Sequence, residues 1–132
     1  YRKKCLIEIG GLLKEMGWDT IDEHNARFLN WKVEVFNDLK VHHTRKTNKN
    51  FGYLKAGFKN GKMLYSMRMD FFLMLTNVIK WSLRFPYFLS GFSLLVGYLK
   101  AMIFFEKKIV SKELGVFIRL YRYRKIKERI NL

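Results

Sequence analysis

Cysteine and proline each occur once in the 132 residues, and histidine three times. The single thiol, Cys5, excludes an intrachain disulfide framework and a thiolate metal cluster built from one chain. A structural zinc site needs several Cys or His ligands, and the chain offers Cys5, His24, His42 and His43 alone. Acid is scarce too: 11 Asp and Glu stand against 26 Lys and Arg, a net charge of +15. No apolar signal-peptide core follows the opening Tyr1-Arg2-Lys3-Lys4, and there is no initiator Met. The chain is therefore expected to be part of a longer protein, cut within a folded region. Apolar surface is plentiful. Apolar residues make up 49% and aromatics 17%, which excludes a disordered polar tail. The length suits one domain, or one small domain with an appendage.

Charge and hydropathy divide the chain. Residues 1–38 hold 6 basic and 7 acidic residues, net −1, whereas residues 39–132 hold 20 basic and 4 acidic, net +16. A basic, apolar segment has two usual partners, nucleic acid and an anionic membrane surface. Here the apolar residues run together, in Phe71-Phe72-Leu73-Met74-Leu75 and again across residues 85–105. That favours the membrane, because a nucleic-acid module keeps its basic face on an ordinary soluble core. Tyr87 to Phe105 is a run of 19 residues with one charge, Lys100. As a helix it would reach roughly 28 Å, close to the bilayer hydrocarbon thickness. Three placements are open: in the membrane plane or shallowly re-entrant, spanning, or within a soluble helical core. Lys80, Arg84, Lys107, Lys108 and Lys112 bracket the run, and Trp81, Phe85 and Tyr87 suit an interfacial aromatic belt.

Local signals give a coarse layout. Residues 1–9 alternate loosely, with Cys5, Ile7 and Ile9 on one face, and read as a short strand or helix entry ended by Gly10-Gly11. Residues 20–30 read as a helix, with Thr20 and Glu23 at capping-box spacing. Residues 31–43 read as one or two strands, Val33 and Val35 on one face and Leu39, Val41 and His43 on another. A polar, basic loop follows at residues 44–50. Residues 51–80 read as mostly helical, weakened at the start by Gly52, Gly57 and Gly61, and Pro86 marks a break. Residues 108–132 read as a basic helix with an apolar stripe of Leu114, Phe117, Ile118 and Tyr121, extended by Ile126.

Two groups could carry chemistry. Asp19, Asp22 and Glu23 cluster at a helix N-terminus, where the dipole favours ionised carboxylates. An ionised carboxylate can take a proton from a substrate hydroxyl, although acidic first-turn residues are also ordinary caps. His42-His43 stands at a strand end feeding a loop, a place suited to binding a metal or a phosphate. His24 reads as a helix-surface residue and Cys5 as a small buried apolar one.

The order of these pieces resembles the back half of a family 2 inverting glycosyltransferase with the nucleotide-diphospho-sugar transferase (GT-A) fold. The residues concerned are Tyr1-Arg2-Lys3-Lys4-Cys5 through Ile9-Gly10-Gly11, Gly17-Trp18-Asp19-Thr20-Ile21-Asp22-Glu23-His24-Asn25-Ala26-Arg27, Asn30-Trp31-Lys32-Val33 and Leu39-Lys40-Val41-His42-His43. The resemblance covers about residues 1–65. It implies an α/β fragment: the acceptor-side end of the GT-A catalytic domain at 1–50, then a mostly helical, basic and aromatic membrane-associating region at 51–132. It implies Asp22 as the base that deprotonates the acceptor hydroxyl, with Glu23 and then Asp19 as alternates. His43, with His42 second, would contact the divalent metal (Mg²⁺ or Mn²⁺) or the diphosphate, and Arg45 the diphosphate or acceptor. The nucleotide-binding half and its Asp-x-Asp motif would lie upstream, leaving this chain inactive alone. The absent Gln-x-x-Arg-Trp motif points to single-sugar transfer.

The expected activity is therefore transfer of a sugar from a nucleotide-diphospho-sugar to a glycan or lipid-linked acceptor at the cytoplasmic face of a membrane, with no nucleic-acid partner. The alternative is a non-enzymatic basic module that binds anionic membrane or nucleic acid.

Overall fold

The computed structural model describes residues 1–34, 36, 52–84 and 87–131. The chain forms two compact units, Tyr1–Lys46 and Thr47–Leu132. All regular structure among the described residues is helical.

The first unit pairs α1 (Lys3–Glu8) with α2 (Trp18–Phe28). Gly10 and Gly11 end α1 with φ of 83° and 82°. The Gly11 amide donates to the Leu6 carbonyl at 2.9 Å and the Gly10 amide to the Ile7 carbonyl at 3.1 Å. This is a Schellman stop, which uses the left-handed backbone that glycine adopts without strain. Asn30, at φ 63°, ends α2 the same way, with the Trp31 amide donating to Ala26 at 2.9 Å. Cys5, Ile9 and Ala26 form the core, with Leu6, Trp31 and Val33 packed against it. The Trp31 indole donates to Glu8 at 2.7 Å and the Asn25 amide to the Ile9 carbonyl at 3.2 Å.

The second unit holds α3 (Gly52–Ser66), α4 (Phe71–Ser82), α5 (Leu89–Ile103) and α6 (Lys112–Ile130). Its tightest seam joins α3 to α5. A Cβ added to Gly61 would land on the Leu94 carbonyl oxygen, and one added to Gly97 on that of Phe58. At Gly57 it would stand 2.6 Å from the Ser90 carbonyl. The glycines that weaken the start of α3 as an isolated helix are thus what lets α5 approach backbone to backbone. Leu64, Leu94, Tyr98 and Ala101 fill the remainder, and the Tyr65 and Tyr98 rings meet edge to face at 5.8 Å.

The α3–α4 connector ties α6 to this pair. Arg68 takes φ 58° at the end of α3. Its Nε donates to the Val110 carbonyl, and its own carbonyl accepts from Arg119, each at 2.8 Å. Asp70 caps α4 by accepting from the Leu73 amide at 2.9 Å and accepts from the Tyr123 hydroxyl at 2.7 Å. Ser111 caps α6 through the Leu114 amide at 3.1 Å.

Two aromatics flank α5 on unusual backbone. Phe88, at φ 56° and ψ −44°, centres a tight γ-turn in which the Leu89 amide donates to the Tyr87 carbonyl at 2.5 Å. Phe105, at φ 49°, occupies the Schellman position where glycine is usual, and the Glu106 amide donates to Ala101 at 3.0 Å. A bulky side chain on such backbone costs on the order of 1 kcal/mol or more.

The expected α/β fragment is corrected by this architecture. A GT-A fold requires a central β-sheet, and no strand occurs among the described residues. The segment expected as a strand or helix entry holds α1, because Cys5 and Ile9, four apart, share a helical face as readily as an alternating one. Ile7 decides between the two: it is 69% exposed. Of the strands expected over 31–43, residues 31–34 and 36 carry none, and the others lie outside the described residues. The capping box at Thr20 is absent because α2 starts earlier, after Gly17 at φ 81°.

The α3–α5 seam makes a signed prediction. At an open helical site, Gly→Ala stabilises by about 1 kcal/mol. Gly61→Ala should instead destabilise by about 1–3 kcal/mol, read as a lowered melting temperature by circular dichroism. An unchanged or raised value would contradict the close approach.

Candidate functional site

The three expected carboxylates belong to α2 but meet different environments. Asp22 is 1% exposed, and its Oδ2 has no hydrogen-bond partner among the described residues. Burial, and secondarily the Asp19 charge, push its carboxyl above the ordinary 3.8. A base must reach the hydroxyl it deprotonates, and Asp22 is shielded from solvent. Asp19 is exposed and accepts from the Thr20 amide at 2.8 Å. Glu23 is exposed and pairs with Arg27 at 3.2 Å. His24, expected on the helix surface, is 2% exposed and belongs to the interior.

Glu23 also lines a cleft of about 630 Å³ whose walls include Tyr1, Arg2, Trp31 and Lys32. Cys5 and Ala26 contribute apolar floor, and Lys32 pairs with Glu34 at 2.5 Å. The cleft therefore combines aromatic faces with charges of both signs. Asp22 is not among its lining residues.

His42, His43 and Arg45 lie outside the described residues. Among the described residues, no three His, Cys, Asp or Glu side chains come together as a metal ion would need. Asp19 and Glu23 are each committed to a neighbour, the Thr20 amide and Arg27, and do not make a ligand set.

The second unit carries a different kind of site. Along α4, Phe71, Leu75 and Ile79 recur every four residues, with Leu83 one step beyond and Phe72 beside them, all exposed. Along α5, Leu89, Phe92, Val96 and Ile103 share one helical face and are exposed too. Leu73, Met74 and Leu94 turn inward instead. Each helix thus buries one apolar face and presents another. Exposed cations stand near these stripes in sequence, at Lys80, Arg84, Lys100 and Lys107. On α6 a further group is exposed, comprising Arg122, Arg124, Lys125, Lys127 and Arg129. The unit holds 17 Lys and Arg against 4 Asp and Glu. Sequence reading found the apolar runs but not their two-sidedness. The signal was present: Phe71, Leu75 and Ile79 make one face at every-fourth spacing, and Leu73 and Met74 fall on another face of the same helix.

Lys108 differs from the other cations. Its Nζ donates to the Tyr65 carbonyl at 2.9 Å and lies 2.8 Å from the Tyr65 ring centre. Burial, then the nearby Arg68 charge, lower it to about 8.

Among the described residues no helix is long and apolar enough to cross a membrane. No protein-family model matches the chain, and neither a curated protein nor a solved structure matches it. With no sheet among the described residues and no family match, the resemblance to a family 2 glycosyltransferase of GT-A fold is overturned.

Asp22 gives the first unit a pH signature. Below the ordinary carboxyl value of 3.8 both folded and unfolded chains hold the proton. As pH rises, the unfolded chain releases it first, so the raised native value costs stability. Asp22→Asn should therefore gain in melting temperature over the parent as pH goes from 4 to 7. A constant difference across that range would contradict the burial of this carboxyl.

Proposed function

We propose that the chain binds anionic membrane surfaces through its second unit, as a peripheral helical module. The carrying observation is the exposed apolar face of α4, Phe71, Phe72, Leu75, Ile79 and Leu83, in a unit with 17 basic and 4 acidic residues. Contiguous exposed apolar surface marks an interaction site. Its pairing with excess positive charge fits a leaflet bearing anionic lipid, as on the cytoplasmic side of membranes. The magnitudes rank the two contributions. A buried Phe, Leu or Ile adds about 1.5–3 kcal/mol. A surface Lys or Arg adds about 1 kcal/mol and is screened by salt.

Binding to vesicles containing phosphatidylglycerol should therefore weaken with salt yet persist at about 1 M, where the screening length is about 3 Å. Duplex DNA binding should be weaker and collapse over the same titration. The Leu75→Asp/Ile79→Asp variant should lose vesicle binding with its helical content intact. Tight DNA binding without vesicle binding would replace this reading with the nucleic-acid one.

Sugar transfer from a nucleotide-diphospho-sugar to a glycan or lipid-linked acceptor is the second reading, favoured by one observation. Glu23 is an exposed carboxylate in a cleft whose volume suits a small ligand, beside Tyr1 and Trp31. Without a GT-A sheet, the donor and its divalent cation require a site of another kind. Glu23→Gln should cut sugar transfer by the protein about 100-fold or more, with nucleotide-sugar binding unchanged. Undiminished transfer would remove this reading.

A further inference from the structure

The two strained aromatics at the ends of α5 say how the second unit meets a membrane, if the membrane-surface reading on which this rests is right. Phe88 precedes the helix on the γ-turn and is 77% exposed. Phe105 follows it on the Schellman turn and is 87% exposed. Glycine would hold either backbone with less strain, and neither side chain is buried in the fold. Both are therefore placed at a cost that no internal packing offsets, which directs attention outside the molecule.

Each has company. Tyr87 and Leu89 are exposed beside Phe88, and Ile103 and Phe104 beside Phe105. Between them runs the exposed α5 stripe of Leu89, Phe92, Val96 and Ile103. Cations stand at both ends, Arg84 before the helix and Lys100 and Lys107 near its close. Lys100 Nζ lies 6.0 Å from the Phe104 ring centre, placing a charge beside the apolar group. The 15 residues of α5 extend about 22 Å, well short of the roughly 30 Å hydrocarbon core.

We propose that α5 lies in the plane of an anionic leaflet, anchored at both ends by Phe88 and Phe105 as aromatic wedges between lipid headgroups. A lipid surface is the fitting occupant because the footprint is a long apolar line with cations at each end. A folded protein partner would more naturally meet a compact patch.

The test uses vesicles of phosphatidylcholine and phosphatidylglycerol in roughly 2:1 ratio, with Phe88→Gly and Phe105→Gly in the full chain. Each should weaken vesicle binding about tenfold, while the melting temperature stays level or rises, because glycine relieves the backbone. Phe105→Leu should bind within about twofold of the parent, since an apolar wedge remains. An aromatic with a merely structural role would lower the melting temperature instead. If only one end responds, α5 does not lie flat and the inference fails. If the parent binds but both glycine variants bind equally well, the inference fails while the membrane reading stands. If the parent binds no vesicles, both fall. A parent dimer that both substitutions dissociate, with vesicle binding unaltered, would assign the aromatics to a second copy and overturn the proposal.

Discussion

The close approach of α3 and α5 is the constraint from which the rest of the second unit follows. Gly57 and Gly61 on one helix and Gly97 on the other leave no room for a side chain between the backbones. Apolar burial there comes from Leu64, Leu94, Tyr98 and Ala101 rather than from the many phenylalanines. Phe71, Phe72, Phe92, Phe104 and Phe105 are consequently left outside. Seams of small residues of this kind let helices associate by close packing without spending large side chains between them. The same economy leaves those large side chains available to a surface.

The connector after α3 complements that seam. Arg68 and Arg119 use backbone carbonyls as acceptors, and Asp70 joins the α4 cap to Tyr123. Arg68, Arg119 and Lys108 are thereby held by neutral carbonyl groups. Lys108 shows the consequence, a lowered value of about 8 caused by burial and by Arg68. The cations of α6 beyond the junction, from Arg122 to Arg129, remain on the exterior. The second unit thus combines a glycine-packed seam with a basic exterior that carries exposed aromatics.

Much of the second unit was legible in the sequence. The stripe of α6 holds at Leu114 and Ile118, which are buried, and the end of α4 at Ser82 and start of α5 at Leu89 bracket the proline that marked the break in the sequence. The first unit was harder, because short segments satisfy two periods at once. Cys5 and Ile9 fit a strand or a helix, and Gly10-Gly11 ends either one. Only the outward turn of Ile7 and the Schellman hydrogen bonds distinguish them. The carboxylate cluster was legible as a group, but its division between a buried Asp22 and exposed Asp19 and Glu23 depends on helix phase, set by the start at Gly17. Local patterns likewise suggested a family whose sheet the described residues do not contain. The left-handed Phe88 and Phe105 left no signal, since nothing local distinguishes an aromatic at a glycine position from one within a helix.

The central claim is that the outer faces of α4 and α5 meet lipid while the glycine seam stays sealed. Spin labels at Leu75 and Val96, on the outer faces, and amide hydrogen exchange at Leu94, in the seam, test it directly. With anionic vesicles present, the two labels should gain access to lipid-dissolved oxygen and lose access to a water-soluble nickel chelate. The Leu94 amide should stay protected from exchange with or without vesicles. Outer-face labels that stay fully open to the chelate in the presence of vesicles would contradict the account.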